Sequence, residues 1–383
     1  MNSNNKSFKT PFGNYQLQRI PQQPTLRAWD AADEYLLNHL ASLNTLNKDS
    51  KLLIINDQFG ALVTCLNRYM PSSWSDSYIN QLATVYNLQQ NQLSTTAYQF
   101  IPSTTVPQTS FDIVLIKIPK TKALLEDQLI KLTAYINTDT LIIAATMTRN
   151  LHTSTLTLFE KLIGITTTSL AKKKARLIFT QYQTLGTDMT PPYPQDYHVK
   201  SLGLHLSNHA NVFSKDKLDY ATLLMLEQFR KLPAAKQIVD LGCGNGVLGI
   251  LAQRHQPQST VYFLDESYMA VASAKMNYEK VYKKSTENCF RVSDGLKQLS
   301  APKVDLILCN PPFHQQHSIG DQIAWRMFMQ SAKRLSKGGE LWIVGNRHLQ
   351  YATKLKKIFG NSKVIATNKK FQVIIAVKRS QHP

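Results

Sequence analysis

Residues 238–255 read "IVDLGCGNGVLGILAQRH". An apolar run ends about Asp240, glycines follow at 242, 244 and 246, and a helical stretch begins near Val247. Glycine at those places lets the backbone turn with positive φ and come close to a bound ligand. The dinucleotide fingerprint orders its glycines G-x-G-x-x-G, to seat a pyrophosphate on a helix end. Here the order is D-x-G-x-G-x-G, with the acid ahead of the turn. Two more acids follow: Asp265, closing the apolar run "VYFLD", and Asp294 in "RVSDGL" at 291–296. A carboxylate in the place of Asp265 can accept hydrogen bonds from both hydroxyls of a ribose. Upstream, "NVFSKDKLDYATLLMLEQF" at 211–229 predicts a helix with apolar positions at 218, 223, 224, 226 and 229, capped by Ser214 or Asp216.

The pattern occurs twice. "KLLIINDQFGAL" at 51–62 parallels "KQIVDLGCGNGVL" at 236–248, "SDSY" at 75–78 parallels "DESY" at 265–268, and "DIVLIKIPKT" at 112–121 parallels "DLILCNPPFH" at 305–314. Two later pairs, starting at 149 and 347 and at 170 and 366, keep the same order. Strands alternating with helices, repeated at an offset of 185–198 residues, predict two tandem α/β domains of one fold. Each is expected to be a mostly parallel sheet with right-handed crossovers. The expected divisions are a first domain at 1–185, a proline-bearing linker at 186–197 and a second domain at 198–383.

Asn310-Pro311-Pro312-Phe313 carries the chemistry. An amine conjugated to a ring is planar, with its lone pair spread into that ring, and cannot attack an activated methyl group in line. An Asn side-chain oxygen and the carbonyl of Pro311 can accept its two N–H groups and draw the nitrogen toward tetrahedral geometry. Prolines stiffen the turn, and Phe313 offers a flat face on which a base stacks for roughly 1–3 kcal/mol. The acceptor nitrogen could belong to adenine, cytosine, guanine or a glutamine side chain. In the first copy the glycine turn reads as two residues shorter and retains only Gly60, while Lys117-Ile118-Pro119-Lys120 replaces the tetrapeptide. Lys117, Lys120 and Lys122, with Lys172, Lys173, Lys174 and Arg176, make this copy a candidate phosphate-gripping surface.

Charge agrees with that partner class. The chain of 383 residues carries +19, with 17 Lys+Arg against 12 Asp+Glu in residues 1–190 and 27 against 13 in the remainder. So basic a balance with interleaved aromatics is the electrostatic signature of a nucleic-acid binder. Cys65, Cys243, Cys289 and Cys309 are scattered with no C-x-x-C pair, which argues against a zinc site and a disulfide frame. His314 and His317 form H-x-x-H without a nearby acid, so no metal is expected. No apolar run reaches membrane length and "MNSNNKSFKT" has no signal-peptide core, predicting a cytoplasmic chain.

The D-x-G-x-G-x-G turn resembles the first motif of class I, Rossmann-like S-adenosyl-L-methionine-dependent methyltransferases. A degenerate copy followed by one bearing NPPF resembles the bacterial rRNA guanine N2-methyltransferases of the RsmC and RlmG types. The stretches "RAWDAADEYLL" (27–37), "NDQFGAL" (56–62), "IPKTKALLEDQL" (118–129) and "HTSTLTLFEKLIG" (152–164) are similar to the RlmG type, whose substrate is 23S rRNA. Lys172 stands where an aromatic residue would be expected. The resemblance implies that Phe213, Ser214, Asp240, Gly242, Gly244, Gly246, Asp265 and Asp294 serve S-adenosylmethionine, Asp294 at the adenine amine. It further implies that Asn310 with Phe313 serves the guanine, at position 1835 in the family's reference rRNA numbering. Three readings stay beside it: a 16S rRNA enzyme, a glutamine N5-methyltransferase, and a non-catalytic RNA-binding assembly factor.

Overall fold

The computed structural model describes residues 7–23, 25–184, 190–213, 217–283, 289–312 and 317–379, without the side chains of 317–321. It contains two compact units, Met1–Tyr193 and Pro194–Pro383. The first holds β1 (Ser7–Thr10), β2 (Gly13–Gln16), α1 (Ala31–Leu43), β3 (Leu52–Ile55), α2 (Ala61–Cys65), β4 (Ser72–Ser75) and α3 (Tyr78–Gln90). It continues with β5 (Gln99–Pro102), β6 (Ile113–Lys117), α4 (Lys122–Leu132), β7 (Leu141–Met147), α5 (Thr153–Leu162), β8 (Gly164–Thr168) and β9 (Ala175–Tyr182). The second holds β10 (Gln195–Val199), β11 (Leu204–Asn208), α6 (Tyr220–Leu226), β12 (Gln237–Leu241), α7 (Val247–His255), β13 (Thr260–Asp265) and α8 (Tyr268–Tyr282). Then come β14 (Phe290–Val292), β15 (Val304–Cys309), α9 (His317–Arg334), β16 (Leu335–Asn346), α10 (Tyr351–Phe359), β17 (Lys363–Thr367) and β18 (Phe371–Val377).

The two seven-stranded sheets share one topology, β5-β4-β3-β6-β7-β9-β8 and β14-β13-β12-β15-β16-β18-β17. Five strands in each run parallel, and a terminal hairpin folds back antiparallel through β9 or β18. Side chains alternate across the sheet. In the second unit Ile238, Leu306, Trp342 and Val344 pack with α6, α7 and α8, whereas Val239, Ile307, Cys309 and Ile343 pack with α9 and α10. The first unit repeats this three-layer plan. β10 begins at Gln195, inside the stretch read from sequence as linker, so regular structure resumes sooner than its prolines suggested.

Fixed points on both sheets equate the copies residue by residue. Asp112 accepts from the Lys51 N–H as Asp305 does from that of Gln237, and the Thr148 N–H donates to the Lys174 carbonyl as that of Arg347 does to Lys370. The N–H groups of Asn56 and Gly242 likewise both donate to the strand alongside, at Trp74 and Leu264. Counting from these points, Lys117 is the counterpart of Asn310, Ser75 of Asp265, Ile54 of Asp240, Asn56 of Gly242 and Gly60 of Gly246. The turn therefore has the same length in both copies, correcting the two-residue shortening read from sequence.

The helix that follows this turn lies hard against its sheet. A Cβ on Gly249 in α7 would stand 2.3 Å from Cε1 of Phe263, whose ring is stacked on Phe290 at 4.7 Å. Gly249→Ala is expected to destabilise the protein by about 1–3 kcal/mol through overpacking. Denaturant unfolding would show this as a lowered midpoint, and an unchanged midpoint would mean that the helix can lift away freely.

Candidate active site

The carboxyl ends of β12, β13 and β15 converge at one edge of the second sheet, where open α/β folds bind ligands. The glycines of the turn have different tasks there. Gly246 has φ +81°, and a Cβ on it would lie 2.9 Å from Ala274 Cβ on α8, so it serves helix packing. Gly60 has the same task in the first copy, with Thr84 Cα 2.5 Å from the same point. Gly244 has φ +52° and nothing within 4 Å of its missing Cβ. Open space at this point suits a ligand. Its counterpart is Gln58. Gly242, with φ +70°, becomes Asn56, a residue that tolerates the left-handed conformation.

The three acids also divide. Asp265 is half-buried, and its carboxylate accepts from the Gly244 N–H (3.0 Å) and the Ser267 N–H (3.0 Å), lying beside the open floor of the turn. Asp240 is buried and accepts from the Gly249 N–H at 2.8 Å, bracing the start of α7 from below. Asp294 is fully buried, its carboxylate 2.7 Å from Arg326 Nη2 on α9 and 2.8 Å from Lys297 Nζ.

Asn310 follows the end of β15. Its Nδ2 donates to Asp219 Oδ2 (3.2 Å) and Thr222 Oγ1 (3.0 Å), while its Oδ1 is buried and has no hydrogen-bond partner among the described residues. Buried acceptors are rarely left so, because the forgone hydrogen bond costs about 1–3 kcal/mol. Pro311 is buried and Pro312 exposed. Asp219, not Ser214 or Asp216, caps the upstream helix, accepting from the N–H groups of Ala221 and Thr222. That helix is only Tyr220–Leu226, shorter than the sequence suggested. Phe213 is 54% exposed ahead of it, and Ser214 and Phe313 lie outside the described residues.

Two further residues carry the turn without having been singled out in the sequence. Buried Asn277 accepts from the Ser207 N–H (2.7 Å) and donates to the carbonyls of Ser207 and Asn245 (3.0 Å each), pinning the glycine turn to β11. Asn87 makes the same three bonds in the first unit, with Gln18 and Phe59. The signal available was that both asparagines fall at matching places in the two copies.

The first copy fills the same edge with its own side chains. Lys117 is 7% exposed, with Nζ 2.8 Å from Asp30 Oδ1 and 2.7 Å from Asp33 Oδ1. Burial works against its charge, but the two carboxylates outweigh it and hold its pKa above the ordinary value. Lys117 is therefore an internal ion pair and not part of a phosphate-gripping surface, correcting its assignment from sequence. Asn56 fills the neighbouring space, exchanging amide hydrogen bonds with Gln128 (2.8 and 2.9 Å). Of the other lysines, Lys173 pairs with Glu34 at 2.8 Å and Lys172 lies 5.0 Å over the Tyr35 ring. Lys120, Lys122 and Lys174 are exposed, and Arg176 is partly so.

Comparison with known proteins follows the same division. The RLMG N-terminal domain family matches residues 5–184 and the methyltransferase small domain matches 203–375. A protein of Ectopseudomonas mendocina (strain ymp) called ribosomal RNA large subunit methyltransferase G is 46% identical over 374 residues, 97% of this chain and 99% of that one. Its namesake from Aeromonas salmonicida (strain A449) is 44% identical over 366 residues, 95% of this chain and 96% of that one. The chain belongs to the ribosomal RNA large subunit methyltransferase G family. A solved structure of the T. thermophilus 16S rRNA N2 G1207 methyltransferase (RsmC), in complex with AdoMet and guanosine, shares the fold of this family member. Its TM-score is 0.75 at 19% identity, covering 97% of each chain. Among the described residues, no helix is long and apolar enough to cross a membrane, and no group of three His, Cys, Asp or Glu could hold a metal ion.

Burial raises Asp240 from an ordinary 3.8 to about 8, with nearby Asp265 adding to the shift and the Gly249 N–H opposing it. Burial likewise raises Asp57 to about 7. Between about pH 4 and those values the folded chain keeps protons that the unfolded chain has released, so stability falls as pH rises through this window. Urea unfolding from pH 5 to 8.5 should show that decline, flattened at its upper end in Asp240→Asn. An identical slope in the variant would mean that Asp240 is not the group responsible.

Proposed function

We propose that the Pro194–Pro383 unit binds S-adenosylmethionine and methylates the exocyclic N2 amine of a guanine in 23S rRNA, at position 1835 of the family's reference numbering. One observation carries the reading: the buried Oδ1 of Asn310, without a hydrogen-bond partner among the described residues, on the edge that also holds Gly244 and Asp265. The names of its relatives and the guanosine in the RsmC structure point the same way. The residues suit the cofactor. Gly244 leaves the floor open, and the Asp265 carboxylate beside it suits ribose hydroxyls. When bound, the cofactor supplies an electrophilic methyl group on a sulfonium centre.

Asn310 Oδ1 accepts one N–H of the guanine amine and the Pro311 carbonyl accepts the other, freeing the nitrogen lone pair from the ring. Phe313 stacks on the base. The proton leaves to solvent, acidified by the charge that develops on nitrogen. Asp240 and Gly246 hold the turn in shape, and Asp294 anchors α9 through Arg326. On the first unit, Lys120, Lys122, Lys172, Lys174 and Arg176 grip phosphate, and the enzyme works in the cytoplasm with its substrate.

Asn310→Ala should abolish methyl transfer to rRNA while cofactor affinity, measured by calorimetry, stays within about twofold of the parent; normal turnover would refute the orienting role. Mapping methylated guanines in rRNA from cells with and without the protein tests the position. Replacing Lys120, Lys122, Lys172 and Lys174 with Gln should weaken rRNA binding and flatten its salt dependence, by about 0.7–0.9 in the log–log slope for each phosphate no longer gripped. Unchanged binding would make the first unit a scaffold only.

A further inference from the structure

We infer that Asp219 and Thr222 are positioning residues, deciding which end of the Asn310 side chain faces the substrate; the inference rests on the orienting role of Asn310 proposed above. A primary amide is nearly symmetric in shape, and a half-turn about its last bond exchanges acceptor for donor. A donor facing the guanine amine would oppose its N–H groups. Asp219 removes that choice. Its carboxylate accepts and does not donate, so the amide face 3.2 Å away must be Nδ2. The Thr222 hydroxyl, 3.0 Å from the same nitrogen, takes the second N–H. Both donors are then consumed by these two side chains, and Oδ1 is the atom that remains for a substrate.

The first copy supplies an independent view of the same device. Asp30 caps α1 as Asp219 caps α6, each accepting from the N–H groups two and three residues on. Asp33 stands where Thr222 stands, and the donor they hold is Lys117 Nζ, at 2.8 and 2.7 Å. Both copies thus join a donor at the end of the fourth strand to two acceptors at the start of a helix. An ammonium has donors only, so the first copy has no acceptor to turn toward a substrate. An amide held the same way keeps one.

Asp219→Asn tests this, because asparagine still caps a helix but can pair with Asn310 in either orientation. It is expected to lower kcat about 10- to 100-fold with cofactor Kd, rRNA KM and Tm near parental values. Thr222→Val should lower kcat and Thr222→Ser should restore it. The decisive comparison is Asn310→Asp alone, which sets two carboxylates face to face, against the same change combined with Asp219→Asn. The exchanged pair again has one acceptor held by a donor and one oxygen facing the base, so it should turn over faster than Asn310→Asp alone. Parental kcat in Asp219→Asn, or no gain in the double variant, overturns the positioning role. If Asn310→Ala is inactive in the same assays, the proposed reaction survives that result; if it is active, the reaction proposal itself has failed.

Discussion

Each unit is governed by how the first strand of its seven-stranded sheet reverses into a helix. β12 must break, turn through positive φ and start α7 directly beneath α8, where the space beside residue 246 cannot admit even a methyl group. β3 faces the same restriction at residue 60 beneath α3. Glycine is required there by packing, whatever else the site does. Because the helix starts at that point, strand ends and turn backbone meet at one edge, and a buried asparagine ties the turn to the preceding segment in both units. The chemistry is built on an edge that the fold must make in any case.

The two edges differ by few substitutions against a constant frame. Asp265 becomes Ser75, Gly244 becomes Gln58, and Gly242 becomes Asn56, whose side chain bonds across to Gln128. Asn310 becomes Lys117, sealed between Asp30 and Asp33. A buried ion triad is not an obvious gain in stability, since desolvation offsets much of its attraction. Its clear effect is to place two carboxylates on the Lys117 ammonium at this edge. The corresponding edge of the second unit holds the buried Asn310 Oδ1, which has no hydrogen-bond partner among the described residues.

Much of this is legible in the order of residues alone. Asp240, the glycines, Asp265 and Asn310-Pro311-Pro312-Phe313, in that succession, are enough to read the fold, its duplication and the kind of reaction, because those features need particular residue types at fixed places along the chain. Charge misleads at Lys117, since a lysine in a string cannot show whether carboxylates 84 and 87 positions earlier surround it. Nor can the string show that α9 brings Arg326 onto the Asp294 carboxylate. The cap of the helix before β12 is misplaced from sequence because several polar residues compete for that role and only hydrogen-bond geometry chooses Asp219.

By itself, then, the sequence determined the repeated α/β plan, the glycine turn of methyltransferase type and an Asn-Pro-Pro-Phe tetrapeptide following an apolar strand. Each rests on local backbone requirements and on chemistry carried by neighbours in the chain. Only the tertiary structure decided which glycine faces open space, which lysine is buried, and which side chains hold the Asn310 amide in one orientation. The last two depend on groups 84 to 91 residues apart meeting at a distance of about 3 Å, and hydrogen bonding and desolvation act on that distance, not on position along the chain.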